Sequence, residues 1–403
     1  MKKNLIRLFS FLLVILILFG SLNLAMEDEN HRWSMFYRLP KNSIDVVFMG
    51  NSHNFSTFQP QIIDNIIPVN SYVVGVPGEN TFVTYYELKE LLRYQHPKVV
   101  VLESFATNVT GSEDMGYIYE FLDPGRFDIN RYMVAKEFLG LENAFSIFPA
   151  LRTRIYWNPL SHYTSNFVYH AFEEKNFAIT KDMGANPKEN IISQTDYSGG
   201  LKESWINSIS TSAENLAYLQ KIYDLCKAEG IQLIITSVPV ISQVPELTSE
   251  IDKFTSENNI PYFTYEQSQF NHLHFANTTH VSIFGSVIIS VEIAQKLANY
   301  LNLPIDETSL HYYQTFFYSD YKITNQGNDY QIQLQQTEPN LITEYTWNIQ
   351  DTSTGEVILE ESVNQSSVNF KLSKPGKYRI AVTIKNPEGD YQVNAWFVVT
   401  KET

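Results

Sequence analysis

At 403 residues the chain exceeds one ordinary folding unit, and roughly 150 residues per domain gives two or three. Hydrophobic residues make up 44% and charged residues 18%, which supplies a core and excludes the composition of a disordered chain. Twenty-nine Lys and Arg stand against 44 Asp and Glu, a net charge of −15, so nucleic acid is not an expected partner. The lone Cys226 excludes an intrachain disulfide, and no Cys/His spacing suggests a structural metal.

Lys2, Lys3 and Arg7 precede an apolar run from Leu8 to Ala25, 18 residues interrupted only by Ser10, Gly20, Ser21 and Asn23. That length lies between a signal-peptide core and a spanning helix of ~20 residues. A small residue is preferred three positions before a cleavage site, and Asn23 occupies that place upstream of Ala25. The expectation is therefore an uncleaved anchor over 1–26, with the positive charges inside and the rest of the chain facing the exterior. Cleavage would instead release a secreted protein. Met26 to Arg38 reads as a polar juxtamembrane segment.

From Ile44 strands and helices alternate. Ile44 to Met49 is apolar except for Asp45, the pattern of a parallel strand buried on both faces. Val69 to Val74 is a weaker strand, Tyr85 to Tyr94 carries leucines at helical spacing, and Val99 to Leu102 is a third strand after the Pro97 break. The pattern resumes with a helix over Ala213 to Ala228, capped by Ser212 and closed by Gly230. It continues with a strand at Ile231 to Thr236, a helix at Leu247 to Asn258, a strand at Ile260 to Tyr265 and a helix at Ser282 to Asn302. This alternation predicts an α/β fold, a doubly wound parallel sheet with helices on both faces, over 27–309.

Between its halves an aromatic-rich stretch, about 113–200, is too long for a crossover and is expected to be a helical insertion over one end of the sheet. Near Leu310 the period changes to two: Tyr330, Ile332 and Leu334 alternate with glutamines, and Tyr378 to Ile384 repeats the pattern. Turn signals recur at Asn325-Gln326-Gly327, Thr354-Gly355, Lys374-Pro375-Gly376 and Asn386-Pro387-Glu388-Gly389. They space an all-β, immunoglobulin-like sandwich over 310–403.

In open α/β sheets ligands sit beyond the carboxyl ends of the strands. Ser52 follows the first strand within Gly50-Asn51-Ser52-His53, and His280 stands just before the last helix of the α/β unit. A hydroxyl and an imidazole so placed suit acyl transfer. Gly50-Asn51-Ser52-His53 resembles the nucleophile block of the SGNH (GDSL-like) hydrolase superfamily, in the G-x-S-H variant of membrane-anchored cell-envelope proteins of Gram-positive bacteria. Gly78 in Val76-Pro77-Gly78-Glu79-Asn80 is similar to the second block, and Asn108 lies one residue out of register with the third. Phe148-Pro149 and Tyr156-Trp157 also resemble these relatives, over about residues 40–302.

The resemblance implies an SGNH/flavodoxin-like sheet. It further implies Ser52 as nucleophile, His280 as base, and the amides of Ser52 and Gly78 with Asn108 as the oxyanion site. An acylated polysaccharide or teichoic-acid-like glycan is the implied substrate, with no cofactor. The superfamily's D-x-x-H reads Asn277-Thr278-Thr279-His280 here. An amide at Asn277 holds the imidazole tautomer but stabilises its cation less than a carboxylate. A slower enzyme, support of the ring by Glu103 or Glu266, and a site that binds without catalysis all fit this departure.

Three further features have structural readings. Glu103 at a strand end reads as a hydrogen-bonded carboxylate, and His272 and His274 have metal-like spacing without a nearby carboxylate pair. Tyr312, Tyr313, Phe316, Phe317 and Tyr318 offer rings for stacking on sugars, but strand aromatics mostly pack the core and the domain junction, and packing is the default reading.

Overall fold

The computed structural model describes residues 2–26, 31–109, 116–124, 129–140, 147–151, 164–165, 167–168, 180–203, 211–242, 245–337, 344–385 and 391–402. Tyr156-Trp157 and the turn at 386–389 lie outside the described residues.

Strands β1 (Val46–Met49), β2 (Ser71–Val73), β3 (Val99–Glu103), β4 (Gln232–Thr236) and β5 (Tyr262–Phe263) form one parallel sheet in the order β2-β1-β3-β4-β5. Successive side chains of a strand point to opposite faces, and here each face meets its own core. Phe48, Val73, Val101 and Ile234 join Ile62, Ile63 and Ile66 of helix Pro60–Ile66 and the long helix Ile283–Leu301. Val47, Met49, Val100 and Ile235 join Leu88 and Leu91 of helix Thr81–Leu91 and Leu219, Ile222 and Cys226 of helix Ala213–Ala228. Burial on both faces explains why β1 and β3 read as unbroken apolar runs rather than alternating ones.

Several expected elements form as read. Ser212 Oγ caps helix Ala213–Ala228 by accepting from the Asn215 amide, and Gly230 follows its end at φ +71°. Ser282 Oγ likewise caps the helix Ile283–Leu301. The segment read as polar juxtamembrane chain behaves otherwise. His31–Phe36 is a short helix whose Trp33, Met35 and Phe36 are buried, because three large apolar side chains in four residues outweigh the flanking charges. Helix Lys2–Met26 is long and apolar enough to cross a membrane, a property that a signal sequence near an N-terminus shares.

The insertion is helical at Gly116–Leu122, Ile129–Leu139 and Gln194–Ser198. Residues 183–192 depart from that expectation and form an extended strap. Met183 O accepts from the Val73 amide, Phe55 O accepts from the Asn186 amide, Lys188 O accepts from the Ile283 amide, and the Trp396 amide donates to Glu189 O. Gly184 at φ +94° makes this course feasible, since a Cβ there would lie 2.1 Å from Val73 O.

The boundary expected near residue 310 falls inside a helix, Glu307–Gln314, capped by Asp306. Tyr312 and Tyr313 are therefore helical rather than strand residues, because the Asp306 cap and spaced Leu310 and Tyr313 favour a buried helical face. Beyond it β6 (Tyr318–Gln326), β7 (Asp329–Gln336) and β10 (Ser367–Lys371) form one antiparallel sheet. β8 (Glu344–Asp351), β9 (Val357–Val363), β11 (Gly376–Lys385) and β12 (Gln392–Lys401) form the other. Ile332, Leu334, Trp347, Ile349, Ile380 and Val382 fill the space between them as a β-sandwich.

The two units share polar and aromatic contacts. Tyr391 Oη donates to Gln59 Oε1 at 2.8 Å while Gln59 Nε2 donates to Ser286 Oγ at 2.9 Å. The rings of Phe316 and Tyr391 meet edge-on at 5.1 Å.

Candidate active site

The strand order reverses direction between β1 and β3, and a crevice beyond their carboxyl ends is the geometric consequence. Three close approaches shape it. Gly75, at φ +139°, lies so near the β1 turn that a Cβ would sit 1.9 Å from Gly50 O. Gly50, at φ +135°, would place a Cβ 3.1 Å from that of Glu103. Asn54 Nδ2 spans the same ends, donating to Val74 O at 2.7 Å and to Phe48 O at 3.2 Å. The turn that carries Ser52 is thus held by backbone packing and by a buried amide.

Within that turn Asn51 Oδ1 accepts from the His53 amide at 3.0 Å and starts the short helix Ser52–Phe55. Asn51 Nδ2 donates to Glu79 O at 3.3 Å, which ties the Gly78 loop to the Ser52 turn. Gly78 itself has φ +66°. Sequence reasoning missed Asn51 and Asn54 as organisers, although both are short polar residues at a strand-to-helix junction.

Ser52 Oγ and His280 Nε2 lie 2.7 Å apart, although 228 positions separate them in sequence. The tautomer follows from the surroundings. Asn277 Oδ1 accepts from the backbone amides of Thr279 and His280, each at 2.9 Å, and these two donors fix the orientation of the side-chain amide. Its carbonyl oxygen then faces His280 Nδ1 at 3.1 Å. An oxygen there requires the proton on Nδ1, so Nε2 offers a lone pair and Ser52 Oγ donates to it. Thr279 Oγ1, at 3.1 Å from Nδ1, donates in turn to Asn277 Oδ1.

Among the described residues no carboxylate is hydrogen-bonded to the ring. Glu103 accepts from the Phe105 and Val238 amides at 3.0 and 3.4 Å, and Glu266 begins a turn that lines a neighbouring cavity. Neither residue supports the ring as expected: Glu103 is turned to its own loop, and Asn277 occupies the place beside Nδ1. Burial, and then the charge of Lys188, hold the His280 imidazole down to about 4, so it is neutral at pH 7. Replacing Lys188 with Met removes a like charge. His280 is then expected to titrate at higher pH than in the unaltered protein, as followed by the imidazole proton resonance; an unchanged or lower value contradicts the assignment. Nothing in the sequence marked Lys188 as a neighbour of His280, because only the strap brings it there.

Asn108 is buried, and its Oδ1 accepts from Thr107 Oγ1 at 2.9 Å and Thr211 Oγ1 at 3.1 Å. It closes the turn after β3. His53 is buried against Phe105, with ring centroids 3.9 Å apart, and 4.7 Å from the His280 ring. His274 has structural work at both nitrogens: Nδ1 accepts from the Asn271 amide and Nε2 donates to Tyr318 O. His272 lies 3.5 Å from Asp320 of the sandwich. Among the described residues no group of three potential ligands could hold a metal ion.

Burial also raises carboxyls around the sheet: Asp64 and Glu79 up to about 7 and Glu103 up to about 8. Each holds a proton in the folded state that the unfolded chain releases near pH 4. Their stabilisation is therefore lost as pH rises toward 8, whereas the depressed imidazoles act in the opposite sense only below about pH 6.5. The unfolding midpoint is expected to fall between about pH 6.5 and 8.5 in a calorimetric series, and a rising midpoint over that interval contradicts these shifts.

No family model matches the chain, and no curated protein matches it. Among solved structures, domains d3–d4 of the rat CD45 extracellular region are 14% identical, covering 20% of this chain and 47% of that one, with a TM-score of 0.17. A polysaccharide deacetylase from Bacillus cereus is 17% identical over 21% of this chain and 30% of its own, with a TM-score of 0.18. OgpA from Akkermansia muciniphila is 10% identical over 46% of this chain and 70% of its own, with a TM-score of 0.15. Likenesses at these scores carry no argument about fold or function.

Proposed function

We propose that the protein is an extracytoplasmic SGNH-like serine esterase or O-acyltransferase acting on acyl esters of cell-envelope glycans. The observation that carries this reading is the 2.7 Å separation of Ser52 Oγ and His280 Nε2 in the tautomer that accepts the hydroxyl proton. In the first step His280 Nε2 takes the Ser52 proton as Oγ adds to the ester carbonyl. The backbone amides of Ser52 and Gly78, with Asn108, are assigned to the oxyanion. The tetrahedral intermediate collapses, His280 returns the proton to the departing alcohol, and an acyl-serine remains. Water then gives hydrolysis, whereas a sugar hydroxyl gives transfer. The immunoglobulin-like character of the sandwich and an anchor at the cell membrane belong to the same proposal.

Asn277 favours a second reading, an envelope protein that binds a glycan or protein without turnover. A groove of about 860 Å³ supports it, since Asn277 and Thr278 share its walls with Tyr321 and Phe397 of the sandwich. The discriminating experiment assays full-length protein in detergent on p-nitrophenyl acetate and on acetylated wall glycans, beside Ser52→Ala. Loss of at least 10²-fold in Ser52→Ala supports the enzyme; equal rates in both proteins leave the binder.

A further inference from the structure

A cavity of about 350 Å³ lies at the carboxyl ends of β3, β4 and β5. Neither Ser52 nor His280 lines it, but its walls touch the segments that carry them. Glu103 on one wall touches the Gly50 turn, and Phe105 stacks on His53, the neighbour of Ser52. On the other side the Ile241 amide donates to Thr278 O at 3.3 Å, joining the β4 loop to the loop that carries His280. The volume is at the small end of ligand sites, about 300–1,000 Å³, and far exceeds a two-carbon acyl group.

The lining restricts the occupant. Among the described residues it contains no Lys, Arg or His, so no cation is present to pair with phosphate or carboxylate. Ser104, Ser237, Ser242 and Thr264 bring hydroxyls, Asn108 and Gln267 bring amides, Phe105 and Tyr265 bring rings, and Glu103 and Glu266 bring carboxyls. Hydroxyls and amides beside aromatic surface suit a polyhydroxylated ring with apolar faces.

Glu103 is the unusual member. It is 1% exposed, and both of its protein partners, the Phe105 and Val238 amides, are donors. Burial pushes its carboxyl up to about 8, so it carries a proton at neutral pH. That proton has no acceptor among the hydrogen bonds of the described residues. The titratable groups that face it are Glu79 from the β2 loop and Tyr262 and Tyr265 from the β5 segment; the two phenols are themselves raised by burial and stay neutral over the same range.

We infer that this cavity is a subsite for a neutral sugar ring and that Glu103 binds the ring by donating a hydrogen bond to one of its oxygens. The inference rests on the ester-chemistry reading only for why a sugar stands beside Ser52, and it is tested by binding alone. Full-length Ser52→Ala protein in detergent is titrated calorimetrically with methyl glycosides of glucose, galactose, mannose and N-acetylglucosamine, and with glucosamine and glucuronate as charged counterparts. At least one neutral glycoside is expected to bind, with affinity falling about tenfold per unit above pH 8 as Glu103 ionises. Adding Glu103→Gln is expected to keep affinity within about threefold and make it flat with pH, because the amide donates in place of the acid. Glu103→Leu is expected to lose at least tenfold, and Ser242→Trp, which adds an indole at another point of the lining, to abolish binding. Binding that survives both Glu103→Leu and Ser242→Trp, binding by none of the neutral glycosides, or tighter binding of a charged counterpart overturns the assignment. Absence of esterase activity alone does not, since the titration uses a protein without the nucleophile.

Discussion

Under the proposed ester chemistry, Asn277→Asp is expected to raise kcat by about 10²-fold near neutral pH. The loss of an aspartate in a serine protease costs ~10⁴, through the wrong tautomer. Here the tautomer is already correct, because two backbone amides orient the Asn277 carbonyl toward Nδ1. What remains to be gained is charge. With the charges of a carboxylate and an imidazolium centred about 5 Å apart, their attraction contributes about 3 kcal/mol at an effective dielectric of about 20, which is roughly 10² in rate. The same two amides would keep the new carboxylate ionised. His280, held down to about 4, is expected to rise by about two units in the variant. Raising the pKa of the base moves the acid limb of kcat/KM to higher pH, so the advantage shrinks below about pH 6. Rate profiles of both proteins check this. An unchanged rate at pH 7 with a normally folded variant contradicts the assigned role of Asn277.

Gly75→Ala carries the largest expected cost in stability. The added methyl would stand 1.9 Å from Gly50 O at φ +139°, and the obstacle is backbone of the neighbouring turn rather than a flexible side chain. Relief requires the β1 and β2 ends to separate, breaking the Asn54 bridge to Val74 O. A strained φ and a broken buried hydrogen bond each cost about 1–3 kcal/mol, so a loss of about 3 kcal/mol or more is expected in denaturant unfolding. Gly230→Ala serves as the comparison. It also has positive φ, at +71°, but nothing lies within 4 Å of its Cβ, and a loss near 1 kcal/mol is expected. Equal losses in the two variants would show that crowding at Gly75 is unimportant.

The parallel sheet was legible because strands buried on both faces are written as short unbroken apolar runs, as at Val99 to Leu102. The helix Ala213–Ala228 was legible to the residue because its cap and its terminating glycine are local signals. Trp33 was not, since a burial partner such as Glu87, whose Oε1 accepts from Trp33 Nε1 at 2.9 Å, lies 54 positions away. The strap at 183–192 was hidden for the same reason: its hydrogen bonds go to β2, to Phe55 and to β12, and no periodicity records them. Ser52, His280 and Asn277 were singled out from motif spacing, and their side chains meet. Lys188 and the cavity at Glu103 depend on loop courses that only tertiary packing defines.

The proposed chemistry stands on an activated hydroxyl at Ser52, and covalent capture reads that property without knowledge of the substrate. Full-length protein in detergent is treated with a fluorophosphonate and digested, and the adduct is located by mass spectrometry. The account predicts labelling of the peptide that contains Ser52, slowed at least 10²-fold in His280→Ala. No adduct on Ser52, or labelling at the same rate in His280→Ala, would contradict it.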